Sequence, residues 1–347
     1  MTPAIARNDL DQVVEHARDV WATARDARVF LTGGTGFFGV WLAESFARAN
    51  ELLELNAELT ILSRDPTAAI ARVPRLGELA GISFHRGDVR DFELPAASFT
   101  HIIHAAAESS QQGHVGDHRH MFETIVDGTR RTLALARHSD VRNYLLVSSG
   151  AVYGPQPADL SHIPEDYSGA PPLGVAASAY GEGKRAAEVL AAIEADRGGL
   201  SVRAARCFAF VGPHLPLDIH FAIGNFIRDA MRGGPIRIRG DGTAVRSYLY
   251  MADLASWLWT LALGPNASDA YNIGSEQAVS IVETAQVVAA AIAPGAEIIV
   301  QGKAVPDAPQ HRYVPSTERA RRELGLEQYV SLGDAITRTA AWHLETR

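Results

Sequence analysis

The 347-residue sequence has a single cysteine, Cys207. An intrachain disulfide and any multi-cysteine metal site are therefore excluded. No apolar run reaches the roughly 18 residues of a membrane span. Basic residues are the minority: 32 Lys and Arg against 40 Asp and Glu, a net charge of -8. That balance argues against a nucleic-acid surface and leaves small anionic ligands held by local arginines. Residues 1–20 lack the apolar core of a secretory signal, so cytoplasmic residence is the default expectation. In that compartment the sequon Asn266-Ala267-Ser268 has no role. No internal repeat or low-complexity tract is present. Hydrophobic residues at 47% and charged residues at 21% are ordinary for a globular chain. The length suits one large or two small domains.

Residues 9 to 25 space Leu10, Val13, Val14, Ala17, Val20, Trp21 and Ala24 along one helical stripe, with Asn8 or Asp9 as its cap. Apolar runs at 28–32, 59–62, 82–84, 101–103 and 144–147 read as strands. A sixth run, 202–208, is interrupted by Arg203 and Arg206. Helical stretches near 121–137 and 180–196 lie between them. This alternation predicts an α/β fold with an open, mostly parallel sheet covered on both faces. A Pro- and Gly-rich stretch from 154 to 174 is a long loop of the kind that carries function. The expected division is a helical extension at 1–26, a main α/β domain at 27–212 plus 245–275, and a smaller lobe at 213–244 plus 276–347.

Gly33-Gly34-Thr35-Gly36-Phe37-Phe38-Gly39 follows the first strand and opens a helix. Glycines allow a tight turn and close approach of a pyrophosphate, which the helix N-terminus then binds. The strand–turn–helix context strengthens a pattern that is weak alone. At the end of the second strand an NAD site usually places a carboxylate for the ribose 2′-hydroxyl. Here Ser63 and Arg64 stand, a pair suited to a 2′-phosphate, so NADP is expected, with NAD as the alternative. Asp88, after the third strand, is a candidate acceptor for the adenine amino group or a helix cap.

Tyr180 and Lys184 stand at i and i+4 on a predicted helix and so share a face. A neighbouring ammonium is expected to lower the tyrosine pKa and fit it for acid–base work. Ser149, at the carboxyl end of a strand, is placed to reach a ligand crevice or to close a turn.

Taken together these pieces resemble the extended short-chain dehydrogenase/reductases, specifically the nucleotide-sugar epimerase/dehydratase family. The matching segments run in family order over most of 27–347: TGGTGFFG at 32–39, GDV at 87–89, HAAAES at 104–109, SSGAVYG at 148–154, YGEGK at 180–184, RCFAFVGP at 206–213, VRSYLYMADLA at 245–255, YNIG at 271–274 and HRY at 311–313. The resemblance implies a Rossmann-type doubly wound sheet and a catalytic triad of Ser149, Tyr180 and Lys184. It implies cofactor contacts at Gly33, Thr35, Gly36, Phe37, Phe38, Gly39, Ser63, Arg64, Asp88, Val89, Ala105, Ala106, Ala107, Tyr180 and Lys184. Substrate contacts would come from Glu108, Ser149, Arg246 and Arg312, the two arginines gripping a diphosphate. The implied substrate is a nucleoside-diphosphate sugar, and the implied assembly a homodimer built on the helices near 121–137 and 180–196. Ala186, Ala187, Leu190 and Ala191 form a small apolar face that suits such packing or an internal core.

The chain also departs from the family pattern. Ala209 stands where many relatives carry an asparagine for the substrate phosphate. Gly150 and Ala151 follow Ser149 where 4,6-dehydratases carry an Asp-Glu acid–base pair. The expected chemistry is thus hydride transfer at C4 by a reductase or epimerase. The alternatives are a 4,6-dehydratase, which the HAAAES segment favours, and a non-catalytic cofactor-sensing protein. His114, His118 and His120 are read as a solvated loop, and no metal is expected. Cys207 is expected to be a small buried apolar residue. His220, Phe221, Asn225 and Phe226 fall where relatives contact the nucleotide base, although a core Phe is the better expectation.

Overall fold

The computed structural model describes residues 2–106, 117–219, 221–264, 269–303 and 310–345. The stripe at 9–25 is broken at Ala17 into α1 (Arg7–His16), α2 (Arg18–Trp21) and a 3-10 turn over Ala22–Ala24. Neither Asn8 nor Asp9 caps α1, because the helix starts earlier, with Ala6 at the N-cap. The extension docks through fully buried Trp21, whose ring lies 4.9 Å from that of Trp259.

Six strands follow: β1 (Arg28–Thr32), β2 (Glu58–Ser63), β3 (Ile82–Arg86), β4 (His101–His104), β5 (Asn143–Ser149) and β6 (Ser201–Cys207). With the strand Ala270–Ile273 they form one seven-stranded sheet, ordered β3-β2-β1-β4-β5-β6 and then Ala270–Ile273. The pairs among β1 to β6 are parallel. The order reverses between β1 and β4, the switch point at which ligands bind in such sheets. Four helices connect the strands: α3 (Phe37–Leu53), α4 (Pro66–Arg72), α5 (His118–His138) and α6 (Ala179–Asp196). Strands buried on both faces explain the continuous apolar runs, such as Val29-Phe30-Leu31 at zero exposure.

β6 forms despite its arginines because both are satisfied. Buried Arg203 donates to the carbonyls of Leu261, at 2.5 Å, and Gly264, at 3.0 Å. Arg206 pairs with Glu188. Ala187 and Ala191 of α6 are buried in the core beside Ile125 of α5, so this part of the small-residue face is internal.

The chain divides into two compact units. The first holds residues 1–152, 170–207 and 255–271; the second holds 153–169, 208–254 and 272–347. In the second, Tyr153 donates to the Asn272 side chain at 2.8 Å, and Asn272 in turn donates to the carbonyls of Ile163 and Ser316. The tyrosine of SSGAVYG and the asparagine of YNIG are thus joined in one structural hub.

Candidate active site

The first unit builds its site from the carboxyl ends of β1, β2, β4 and β5. β1 runs into Gly33, whose φ of 74° favours glycine. A Cβ at Gly33 would lie 2.7 Å from the Ala105 carbonyl, and one at Gly39 would lie 2.2 Å from the Gly33 oxygen. These two glycines let the loop, α3 and the β4 end come together. At Gly36, by contrast, an added Cβ would meet only the Gly33 oxygen, at 3.4 Å. Gly36 is also the N-cap of α3 and supplies no side-chain cap. The result is a backbone cradle at a helix N-terminus, which fits the pyrophosphate of a dinucleotide. Phe37 and Phe38 occupy the first turn of α3. Ala105 and Ala106 are tied to β1, the amide of Ala106 donating to the Thr32 hydroxyl at 3.1 Å. Val89 packs against the core instead of standing in the open.

Below this loop lies a buried imidazole that sequence reasoning missed. His104 bridges the hydroxyls of Thr32, at 2.8 Å, and Thr129, at 3.3 Å. Burial, helped by the charge of Lys184, pushes its pKa down to about 3. The ring is therefore neutral and serves as a strut between β1, β4 and α5.

Ser63 ends β2 nearly buried, and Arg64 is exposed beside it. Asp65 caps α4 by accepting from the Ala68 amide at 3.1 Å. Asp88 is held by Arg90 through both carboxylate oxygens, at 2.9 and 3.1 Å, and also accepts the Arg90 amide. That side-chain contact lowers its pKa, with a smaller contribution from Arg64.

Ser149 ends β5, while Tyr180 and Lys184 occupy the first turns of α6, so the three sequence-predicted residues come together within one unit. The Ser149 hydroxyl lies near enough to the Tyr180 phenol to act on its pKa. The Ser149 hydroxyl also accepts the Ala151 amide at 3.2 Å. Lys184 is buried and donates to the Val147 carbonyl at 2.6 Å. Burial brings its pKa down to about 8, against the raising influence of Cys207 and Glu188. The expected lowering of the Tyr180 pKa is not what the structure gives. Burial raises the phenol, and the nearby Ser149 hydroxyl only partly offsets this. Cys207 is buried as expected, its thiol pushed up to about 12.

Glu188, one turn beyond Lys184, was also missed. It accepts the Ser148 hydroxyl at 2.5 Å and the Arg206 guanidinium at 2.8 Å, linking β5, α6 and β6 behind the triad. Its signal in the sequence was only the repeat of the i, i+4 spacing.

In the second unit Arg246 and Arg312 lie on adjacent strands, where Arg312 pairs with Val245 and Tyr313 with Arg246. Arg246 donates to the Val245 carbonyl at 2.8 Å and Arg312 to the Gln310 side chain at 3.1 Å. The Arg312 Nε is buried and makes no hydrogen bond. Phe226 is core, whereas Phe221 is exposed at the start of the helix Ala222–Met231. Asn225 is turned back onto the carbonyls of Ile219 and Phe221. The Ala209 carbonyl accepts the Leu249 amide.

Ala107, Glu108, His114, His220 and the sequon at 266–268 lie outside the described residues. His118 and His120 fall in the first turn of α5, with His120 3.3 Å from Arg90. Among the described residues no three His, Cys, Asp or Glu side chains group as a metal site, and no helix is long and apolar enough to cross a membrane.

A glycine cradle at the switch point, together with a Ser-Tyr-Lys set, defines a dinucleotide-dependent oxidoreductase type of site. The chain belongs to the NAD dependent epimerase/dehydratase family, whose model matches residues 29–274. It is 32% identical to UDP-glucuronic acid decarboxylase 5 of Arabidopsis thaliana, over 89% of this chain and 87% of that protein. Among solved structures it is similar to DesIV, a dTDP-glucose 4,6-dehydratase from Streptomyces venezuelae with NAD and TYD bound. That match has 26% identity and a TM-score of 0.76, and it covers 92% of this chain and 98% of the other. It is similar also to MoeE5 in complex with UDP-glucuronic acid and NAD, at 26% identity and a TM-score of 0.74, covering 92% of this chain and 100% of the other.

Proposed function

We propose that this protein transfers a hydride at C4 of a nucleoside-diphosphate sugar, as a 4-ketosugar reductase or a 4-epimerase, with NADP as its cofactor. The observation that carries this reading is the convergence of Ser149 at the end of β5 with Tyr180 and buried Lys184 on α6, where Lys184 is tied to the Val147 carbonyl and Ser149 is followed in sequence by Gly150 and Ala151. When bound, the nicotinamide supplies the hydride donor and acceptor. Gly33, Gly36 and Gly39 would take its pyrophosphate, and Lys184 its ribose. Ser149 orients the C4 oxygen, and Tyr180 exchanges a proton with it. A neutral phenol is the donor form, ready to protonate a C4 ketone as it is reduced. Dehydration would need a base at C5 and an acid at the C6 hydroxyl, and neither Gly150 nor Ala151 can move a proton. Ser63 and Arg64 at the end of β2 support NADP. Arg246 and Arg312 would hold the diphosphate, the second unit thus serving as the substrate lobe.

A second reading comes from the decarboxylase relatives. Oxidation at C4 of a UDP-uronic acid makes a β-keto acid, which can lose carbon dioxide without the missing acid–base pair. We further propose a homodimer through α5 and α6, where Phe122, Val189 and Ile193 are exposed.

The test is incubation with UDP- and dTDP-hexoses, UDP-glucuronic acid and 4-keto-6-deoxyhexose nucleotides, with NADP(H) or NAD(H), followed by mass and NMR analysis. Reduction or inversion at C4 supports the first reading, and release of carbon dioxide the second. Loss of one water from an intact hexose contradicts both.

A further inference from the structure

We propose that Arg72 is a second guanidinium for the 2′-phosphate of the adenosine ribose and a determinant of NADP over NAD, an inference that rests on the NADP reading above. Selection of NAD needs a carboxylate to accept the ribose 2′-hydroxyl near the end of β2. Two carboxylates lie close in sequence to the β2 and β3 ends, and each already has a partner, through one oxygen in Asp65 and both in Asp88. Asp65 caps α4 through the Ala68 amide, and both oxygens of Asp88 are engaged by Arg90. The side chains of opposite character are Ser63, Arg64 and Arg72.

Arg72 is the last residue of α4, the helix that starts two residues after Arg64. Its side chain returns to the glycine loop, where Nη2 donates to the Thr35 carbonyl at 2.8 Å. Among the described residues that is the one hydrogen bond of this exposed guanidinium. The group is therefore tethered at the loop that receives the cofactor, with most of its five N–H donors available for phosphate oxygens. The adenosine ribose of a bound dinucleotide lies between the glycine loop and the end of β2. Arg64 would flank it from the strand and Arg72 from the loop.

The experiment is calorimetric titration of the full chain with NADP+, NAD+, adenosine 2′,5′-bisphosphate and ADP, for wild type, Arg72→Gln, Arg72→Lys and Arg64→Gln. Thermal unfolding checks that each variant is folded. Wild type should bind NADP+ and the 2′,5′-bisphosphate more tightly than NAD+ and ADP. Arg72→Gln should weaken the two 2′-phosphorylated ligands by about tenfold or more, the equivalent of one charged hydrogen bond, and leave NAD+ and ADP unchanged. Arg72→Lys, which keeps the charge and loses the fork, should fall between. If wild type prefers NADP+ and both Arg72 variants keep that preference, the role of Arg72 is overturned and the NADP reading stands. Equal weakening of all four ligands would make Arg72 a support for the loop and also overturn the inference. A wild-type preference for NAD+ overturns the NADP reading itself, and this inference with it.

Discussion

The Lys184 ammonium donates to the carbonyl of Val147 at 2.6 Å, two residues before Ser149 on the same strand. α6 is thereby pinned to β5 at the point where Tyr180 and Ser149 meet. Tyr180→Phe removes only the phenolic hydroxyl that carries the proton, so turnover should fall by about 100- to 10,000-fold while cofactor affinity changes little. Lys184→Met should lower both. Steady-state rates and cofactor titrations check the two variants, and unchanged turnover in Tyr180→Phe would remove the tyrosine from the reaction.

Glu188 holds Ser148 and Arg206 together behind that pair. Glu188→Ala leaves a half-buried guanidinium and a buried hydroxyl without their acceptor. The expected cost is about 2 kcal/mol in urea unfolding, with a loss of turnover as β5 and α6 loosen. Glu188→Gln keeps an acceptor for Ser148 and should lose less.

Much of this was legible in the sequence. The strands at 28–32 and 144–147 announced themselves by apolar runs bounded by glycine or serine, because strands buried on both faces have no polar side to alternate. That Ser149, Tyr180 and Lys184 belong together was legible because a proton-transferring site of this kind calls for particular residue types at fixed spacing. What escaped were groups whose meaning lies in their partners. His104 reads as a strand residue until two threonines, one of them from α5, are seen to close on its ring. Glu188 is one more helical carboxylate until β5 and β6 deliver Ser148 and Arg206. The direction of the Tyr180 pKa was misjudged for the same reason: helical spacing reveals the neighbouring ammonium but not the depth of burial. The N-terminal stripe was seen, but its break at Ala17 was not, since seven apolar positions in register say nothing about where the chain must turn.

Glu44, on α3, gives the clearest pH dependence. Its Oε2 accepts the Ile5 amide at 3.3 Å, and its Oε1 is buried without a partner. Burial raises the pKa to about 7, from an ordinary value of 4.5. Between these values the folded protein binds more protons than the unfolded chain, so this group's contribution to stability falls as pH rises from 4.5 to 7. Glu44→Gln removes the ionisation. It should therefore gain stability over wild type at pH 8, by at most about 3 kcal/mol, and show little difference at pH 5. Thermal or urea unfolding at the two pH values checks this, and equal effects at both would place the cause in packing.

In the second unit, Arg246→Ala should weaken nucleoside-diphosphate binding by about 2 to 5 kcal/mol, the range for stripping one partner from a buried charge pair. Calorimetry with UDP and dTDP measures it directly, and an unchanged affinity would place Arg246 outside the substrate site.

The most direct test of hydride transfer at C4 uses nucleotide hexoses carrying deuterium at that carbon. Incubation with enzyme and oxidised cofactor, followed by NMR of the cofactor and mass analysis of the sugar, shows where the label goes. Deuterium should pass from C4 to the nicotinamide, and in a 4-epimerase return from there to C4 of the inverted sugar; Tyr180→Phe should suppress the transfer, and the hexose should keep its oxygen at C6. Turnover in which deuterium never reaches the nicotinamide, or a product that has lost one water, would contradict the proposed C4 reaction; deuterium returned to C4 of an inverted sugar is the 4-epimerase outcome.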